Sequence, residues 1–448
     1  MNNNAGLFLG LGTLESLDRA TRRILMTRAS ERDGNVRALT AAVVQDVRDR
    51  GDRALYDMAQ RFDGATLNAL EVPRARWNEA LNGLDPALRA ALERAARNIE
   101  TVHRAFLPVA MEVSPEPGIT VGRRPDPLAR VGVYAPGGRA AYPSSLLMGA
   151  IPARVAGVGE VIVCSPPTAT GEVASVVLAA AALAKVDRVF AVGGAGAIAA
   201  MACGTESIPR VNRVVGPGNA FVAEAKLQLV GEVAIDSPAG PSELLVIADH
   251  SSDATVVANE IAAQAEHDPQ AAVIVLVTGL NAAQTCERIS NAVQDVLQSA
   301  ARSDVIRSAL SSRGALLSVQ SLEAAIQFAN EWAAEHLLLA LGSDDQHLAL
   351  SKLRSAGTIF AGESSSVAFG DYMTGANHVL PTAGLARCYS GLSTLDFIRW
   401  TSWQRVSVEA AASLSADVAV FADAEGLPAH ANAARHWGTR VASHSQSS

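Results

Sequence analysis

Cysteine, lysine and aromatic residues are all scarce in this chain of 448 residues. The four cysteines lie far apart and form no CxxC pair, which excludes a disulfide framework or a zinc finger and favours reduced thiols. Cys164 ends a strand-like run, and no neighbour in the sequence would lower its pKa, so a structural thiol is favoured over a nucleophile. The net charge is -8 and no basic stripe is present, which argues against nucleic acid as a partner.

Long hydrophobic runs are missing as well. The longest, VVLAAAALA from Val176 to Ala184, is too short to span a bilayer. No secretory signal is recognisable, because residues 1–18 carry neither lysine nor arginine. With 49% hydrophobic and 18% charged residues, the chain has enough apolar material for large cores. We therefore expect a cytoplasmic protein of about two to four domains, with no membrane partner.

The hydrophobic period changes at Arg130. Before it, apolar residues recur at three- and four-residue spacing, which predicts helices. After it, short β-rich runs such as RVGVY and EVIVCS alternate with helical stretches and end in glycine or proline turns, which predicts parallel sheets with ligands at the strand ends. We expect an α/β fold with two incomplete Rossmann-like parallel-sheet domains, a helical N-terminal arm and a C-terminal extension.

The turn VGGAGAIAA fits the dinucleotide pattern GxGxxA at Gly194, Gly196 and Ala199. The acidic residue expected after the next strand is missing, because that strand runs into GPGN. Small residues are also ordinary at any strand-to-helix turn. A phosphate or dinucleotide bound somewhere along these glycine turns is therefore favoured over a standard fingerprint.

Polar side chains crowd the end of one alanine-rich helix. Gln264 and His267 are three residues apart and share a helix face, so they could be ligands at the mouth of a sheet. They could equally form an ordinary helix end with a histidine stabilised by the helix dipole. Similar residues recur in three later stretches, each more typical of a surface when taken singly: Glu335 with His336, Asp371 with His378, and Glu425 with His430.

Taken together and in this order, these stretches resemble the histidinol dehydrogenase family over nearly the whole chain. The motifs that carry the resemblance are GVYAPGGRAAYPSSLLMGAIPARVAGV, VVGPGNAFVAEAK, AGPSELLVIAD, AEHDPQA, AAEHLLL, GANHVLPT and EGLPAHA. The resemblance implies an NAD-dependent four-electron alcohol and aldehyde dehydrogenase. Its substrate would be L-histidinol, oxidised through L-histidinal to L-histidine with two NAD, the last step of histidine biosynthesis.

The resemblance also implies one Zn²⁺ per subunit and a set of site residues. An amide oxygen, two imidazoles and a carboxylate suit zinc, and the implied ligands are Gln264, His267, Asp371 and His430. His336 is implied as the base that takes the hydroxyl proton, and Glu335 as the group that activates water against the aldehyde. The implied substrate contacts are Ser242, Gln264, His267, His336, Asp371, Glu425 and His430.

The implied cofactor contacts are Tyr134 in GVYAPGG, Asn219 in GPGN and a third position in GGAGA. Relatives usually carry glutamine at that third position, whereas this chain has Gly196, which leaves only backbone for the contact. We therefore expect Gly196→Gln to tighten NAD binding or to leave it unchanged.

The resemblance further implies four segments and a homodimer with shared active sites. The C-terminal arm should cross to the partner subunit, so that each site is completed by both chains. The predicted segments are 1–24 for the N-terminal arm, 25–133 with 244–390 for the domain carrying zinc and the catalytic residues, 134–243 for the NAD-binding domain, and 391–448 for the C-terminal arm.

Other functions stay open on the sequence alone. A paralogue could apply the same zinc and NAD chemistry to another polyol or amino alcohol, such as a sulfonated propanediol, although Ser242 and Glu425 favour histidinol. A zinc hydrolase without nucleotide is a second alternative, against which the three glycine-ended strand turns argue. A non-catalytic binding protein would leave Glu335 and His336 without a purpose.

Overall fold

The structure is a computed structural model that describes residues 6–28, 34–137, 141–238 and 240–444. Residues 1–5 of the predicted N-terminal arm lie outside this part of the chain. The described strands are β1 Gly10–Thr13, β2 Met111–Val113, β3 Ile119–Pro127, β4 Arg130–Tyr134, β5 Glu160–Ser165, β6 Arg188–Ala191, β7 Arg213–Val215, β8 Ala234–Ile235, β9 Glu243–Ala248, β10 Ala272–Val277, β11 Gly314–Ser318, β12 Ala334–Ala340, β13 Ala356–Ala361 and β14 Ile398–Val406.

Helices connect these strands. The described α-helices are α1 Arg19–Met26, α2 Gly34–Arg50, α3 Asp52–Met58, α4 Arg74–Asn82, α5 Pro86–Ala105, α6 Pro143–Ala156, α7 Ser175–Leu183, α8 Gly194–Cys203, α9 Ala220–Gln228, α10 Ala254–Ala265, α11 Ala282–Ser299, α12 Ser303–Arg313, α13 Leu322–Trp332, α14 Ser343–Lys352, α15 Val367–Tyr372, α16 Val408–Ala424 and α17 Pro428–His444. A π-helical turn spans Ala59–Asp63, and 3-10 turns span Leu14–Ser16, Leu385–Arg387 and Thr394–Phe397. No helix among the described residues combines the length and apolarity needed to cross a bilayer.

One parallel sheet has the strand order β1-β11-β10-β9-β12-β13. Its central strands are continuous apolar runs because helices cover both faces, as parallel sheets require. Alternate residues of β10 accordingly belong to two different cores: Val273 and Val275 pack with β9 and α10, while Ile274 and Leu276 pack with α13. The sheet includes β1 as an edge strand, inside the predicted helical arm.

A second parallel sheet has the order β6-β5-β4-β7-β8. The chain leaves β4 toward β5 and β6 on one side, then crosses back to place β7 and β8 on the other. The strand order therefore reverses between β4 and β7, and such a switch point opens a crevice at the carboxyl ends of the strands. Helix α2 packs on α8 and α9, α4 packs on α7, and α5 packs on α6.

The two parallel sheets confirm the predicted α/β fold. Both belong to one compact unit, Met1–Phe106 with Leu128–Phe397, and the domain boundaries predicted inside it stay a prediction. The other unit, Leu107–Pro127 with Ile398–Ser448, contains an antiparallel sheet in the order β14-β3-β2 and the helix pair α16 and α17. Alternation along the sequence did not predict this antiparallel sheet, since its main partners β3 and β14 are far apart in the chain.

Candidate active site

A buried polar cluster lies at the amino end of β12. Helix α13 ends at Trp332, its C-cap Ala333 takes a left-handed conformation with φ 53°, and the chain then turns directly into the strand. Glu335 and His336 follow as its second and third residues, and both are buried. The Glu335 carboxylate lies 3.5 Å from His336 Nδ1. A carboxylate and an imidazole are thus held together out of water, as acid–base catalysis needs.

Main-chain groups of Glu243, the first residue of the neighbouring β9, orient both side chains. The Glu243 N–H donates to Glu335 Oε2 at 2.8 Å, and His336 Nδ1 donates to the Glu243 carbonyl at 3.2 Å. Because Nδ1 keeps its proton in this contact, Nε2 of His336 is the nitrogen at which the imidazole can take up or release a proton. That nitrogen lies 3.6 Å from Asp371 Oδ1 on α15.

The Glu243 side chain is itself held in a buried ion pair with Arg28, at 2.9 Å. The Arg28 guanidinium stacks over the Trp332 ring at 3.8 Å and also donates to the Trp332 carbonyl. The second Glu243 oxygen accepts from the Ala383 N–H at 2.6 Å. Residues near positions 28, 243, 332 and 383 therefore meet around the Glu243 side chain.

Burial and charge shift the pKa values of this cluster. Burial raises the pKa of Glu335 to about 7, against the opposing effect of His336. Burial lowers the pKa of His336, but the carboxylates of Glu335 and Asp371 raise it more, to about 9. Groups with such strongly perturbed pKa values mark candidate functional sites.

Two further histidines share the field of Asp371. Burial lowers the pKa of His267 and that of His378, and in both cases the Asp371 charge partly opposes the shift. His378 Nδ1 donates to the Asp371 carbonyl at 2.9 Å, and its Nε2 lies 3.3 Å from the Ser145 hydroxyl on α6. His267 follows the end of α10, one turn after Gln264. The buried Nε2 of Gln264 has no hydrogen-bond partner among the residues that the structure describes.

The glycine turns of the five-stranded sheet form a second constellation. The Tyr134 hydroxyl, at the end of β4, accepts from the Gly194 N–H at 3.1 Å, where α8 begins. Asn219 caps α9, and its Oδ1 accepts from the N–H groups of Phe221 and Val222 at 3.0 and 3.1 Å. These turns belong to strand ends on both sides of the switch point, where open α/β sheets bind nucleotides.

Comparison with known proteins identifies the family. The sequence model described as histidinol dehydrogenase matches residues 26–437. A histidinol dehydrogenase of Methanosarcina barkeri is 46% identical over 425 residues, covering 94% of this chain and 96% of the relative. One from Nitrosomonas europaea is 44% identical over 405 residues, covering 90% of this chain and 92% of the relative. The chain belongs to the histidinol dehydrogenase family.

A solved structure supports the same assignment. The crystal structure of histidinol dehydrogenase from Elizabethkingia anophelis aligns with a TM-score of 0.90 and 32% identity, over 97% of this chain and 99% of that chain. Membership in the histidinol dehydrogenase family confirms the predicted class of enzyme, an oxidoreductase of histidine biosynthesis. It also confirms the fold class.

The structure places the expected site residues of this family member in two units. One electrostatic cluster contains Glu335, His336, Asp371 and His267. Ser242 lies directly before Glu243, whose main chain orients Glu335 and His336. Glu425 and His430 lie in the other unit, exposed at the end of α16 and in α17. No group of three or more Asp, Glu, His or Cys side chains able to hold a metal occurs in the described part of the chain.

Sequence reasoning missed two residues and underused a third. Glu243 looks like the polar start of a strand, and its partner Arg28 is 215 residues away, so no local signal pointed to their pairing. His378 was visible in its broken loop but carried no assigned role. Cys164 is buried and burial raises the pKa of its thiol, in keeping with a structural rather than nucleophilic cysteine.

Proposed function

We propose that the protein oxidises L-histidinol through L-histidinal to L-histidine, with one Zn²⁺ per subunit and two NAD. The observation that carries the proposal is the buried His336, whose Nδ1 is held by the Glu243 carbonyl while Nε2 faces Asp371. An imidazole fixed in this way can take a hydroxyl proton in each of two oxidations.

The proposed zinc ligands are Gln264, His267, Asp371 and His430. Gln264 is buried at the end of α10, and zinc would bind its amide oxygen. The lowered pKa of His267 keeps its imidazole neutral and able to ligate. Burial raises the pKa of Asp371, but neighbouring histidines lower it more, so its carboxylate is ionised. When bound, zinc would orient the amino alcohol as a Lewis acid.

NAD would bind at the glycine turns of the five-stranded sheet and accept the hydride in each oxidation. Tyr134 and Asn219 are the proposed contacts, and the N-termini of α8 and α9 lie at those turns, where anionic groups are favoured. Gly196 offers backbone alone at the third position.

The catalytic steps fall to His336 and Glu335. In the first oxidation, His336 Nε2 takes the hydroxyl proton while the carbinol hydride leaves. Glu335 then takes a proton from the water that adds to the aldehyde, and His336 takes a hydroxyl proton from the hydrate as the second hydride leaves. A pKa near 7 suits Glu335 for exchanging this proton at neutral pH. Ligation of Asp371 removes part of the negative charge that raises the His336 pKa, which favours its neutral form.

The remaining contacts are proposed to come from both subunits of a homodimer. Ser242 belongs to the larger unit, while Glu425 and His430 would reach the substrate and metal of the partner subunit. Helices α16 and α17 support this assembly, because they expose apolar side chains and line a groove of about 340 Å³. On α16, Val420 is 71% exposed and Phe421 is 70% exposed.

Metal removal tests the proposed chemistry. We expect the purified protein to produce NADH from L-histidinol, to lose this activity on chelation and to regain it with Zn²⁺. His267→Ala should lower bound zinc measured by elemental analysis, whereas His347→Ala, an exposed histidine on α14, should not. Full turnover by a demonstrably metal-free sample would rule out the zinc assignment.

Mixed dimers test the shared site. Inactive His267→Ala and His430→Ala chains, unfolded and refolded together, should pair so that about a quarter of all sites contain an intact core and an intact arm. Recovered turnover at that fraction supports crossing of the arm. If each site is built within one chain, every site keeps a lesion and no activity returns.

A further inference from the structure

A buried ion pair lies under the glycine turn that follows β7. Lys226 on α9 and Asp236 after β8 are 4% and 6% exposed, and Lys226 Nζ lies 2.6 Å from Asp236 Oδ1. Lys226 is one of three lysines in the chain. A buried pair of this kind is a weak source of stability, because desolvation of two charges offsets much of their attraction.

Both charges also bind the main chain of one residue. The Gly216 N–H donates to Asp236 Oδ2 at 2.8 Å, and the Gly216 carbonyl accepts from Lys226 Nζ. The two polar groups of Gly216 are therefore fixed by opposite members of the ion pair. Charge-assisted hydrogen bonds such as these are shorter and stronger than neutral ones.

Gly216 lies very close to the backbone at the end of β4. It has φ 115°, and a Cβ added there would lie 2.1 Å from the Tyr134 carbonyl oxygen, so no other residue fits without moving the turn. Gly216 follows β7 directly, and the turn Gly216–Asn219 leads into α9. The pair thus sets the turn at the switch point between β4 and β7.

We propose that Lys226 and Asp236 are positioning residues that hold the Gly216–Asn219 turn in the arrangement that binds NAD. The inference rests on the proposed use of NAD. Neither side chain needs to touch the cofactor, since the pair acts through the Gly216 peptide and the Asn219 that follows it. If the turn adopts the binding arrangement for only a fraction of the time, the apparent dissociation constant of its ligand rises by the inverse of that fraction.

The test separates positioning from stability. In Lys226→Met/Asp236→Leu both charges are replaced by apolar groups, so no buried charge is left unpaired. The N–H and carbonyl of the buried Gly216 lose their partners, which should lower the melting temperature. We expect calorimetry to give a dissociation constant for NAD raised roughly tenfold, with an unchanged KM for L-histidinol, and a destabilised control variant separates the loss of NAD affinity from the loss of stability. Asp236→Asn, which keeps the side-chain shape, should also weaken NAD.

The matched control is Arg188→Met at the amino end of β6, in the same sheet. Arg188 pairs with Glu71 at 2.6 Å and donates to the Ser207 carbonyl at 3.0 Å, so its loss should lower the melting temperature without changing NAD affinity. Wild-type affinity for NAD in both the double variant and Asp236→Asn would overturn the inference and leave the proposed function standing. If the wild-type protein itself binds no NAD, the proposed function fails and the inference with it.

Discussion

The candidate site residues of the two parallel sheets lie at opposite edges. In the five-stranded sheet, Tyr134 and Gly216 lie at the carboxyl ends of β4 and β7. In the six-stranded sheet, Glu243, Glu335 and His336 lie at the amino ends of β9 and β12. Ligands of open α/β sheets usually bind at the carboxyl edge, so the six-stranded sheet departs from the general rule.

Helix direction gives a physical reason for the difference. A crossover helix begins at the carboxyl edge of a parallel sheet and ends at the amino edge. The turns before α8 and α9 therefore present helix N-termini, which favour anions such as the phosphates of a dinucleotide. Gln264 and His267, by contrast, lie at the C-terminus of α10, where the helix dipole favours a cation.

Each edge is supported by its own buried ion pair. Arg28 with Glu243 supports the six-stranded sheet, and Lys226 with Asp236 supports the five-stranded one. Glu243, a member of the first pair, contacts Glu335 and His336 through its own N–H and carbonyl. The second pair contacts the N–H and the carbonyl of Gly216. Variants at the two edges should accordingly affect different steps.

The largest effect is expected at the amino edge of the six-stranded sheet. His336→Asn removes the proposed base but keeps a polar side chain, so kcat should fall by roughly 10²–10⁴ for both L-histidinol and L-histidinal. Calorimetry should show unchanged NAD affinity, because the turns proposed to bind NAD lie at the other sheet. Loss of NAD binding in this variant would contradict the proposal that the two sheet edges have separate roles.

Glu335→Gln should slow the second oxidation much more than the first. The glutamine preserves the hydrogen bond from the Glu243 N–H but cannot take a proton from water. Oxidation of L-histidinal should therefore fall by about 10² or more, while oxidation of L-histidinol to the aldehyde should change much less. Single-turnover measurements of each half-reaction distinguish the steps, and equal losses in both would contradict the division of labour.

Much of the fold could be predicted from the sequence because its signals are local. Apolar runs, helical spacing and glycine turns predict β4 to β7, β9 to β12 and most of the helices that connect them, but not α12. The candidate site could be predicted only in part. Glu335, His336 and Asp371 were candidates because their motifs resemble those of a known family. The pairing of Arg28 with Glu243 could not be predicted, because it joins chain segments that meet only in the fold. No periodicity encodes such a contact.

Gly196 shows the same limit at the carboxyl edge of the five-stranded sheet. The sequence shows only that a glycine stands at this position of the turn. The structure shows that Gly196 is buried in α8 and that an added Cβ would lie 2.9 Å from Met58 Sδ and 3.4 Å from Leu55 Cδ2, both on α3. The absent side chain is thus matched by a close approach of α3, whose residues lie far away in the sequence.

The smallest effect is therefore expected from Gly196→Gln. Crowding against Met58 should lower the free energy of unfolding by about 1–3 kcal/mol, with a small gain from replacing glycine in a helix. Trimming the neighbour in Met58→Ala/Gly196→Gln should restore most of the loss, as denaturant titrations of the single and double variants would show. Any tightening of NAD should be greater in the double variant, where the glutamine has room. A single variant as stable as the wild type would mean that α3 does not constrain this turn.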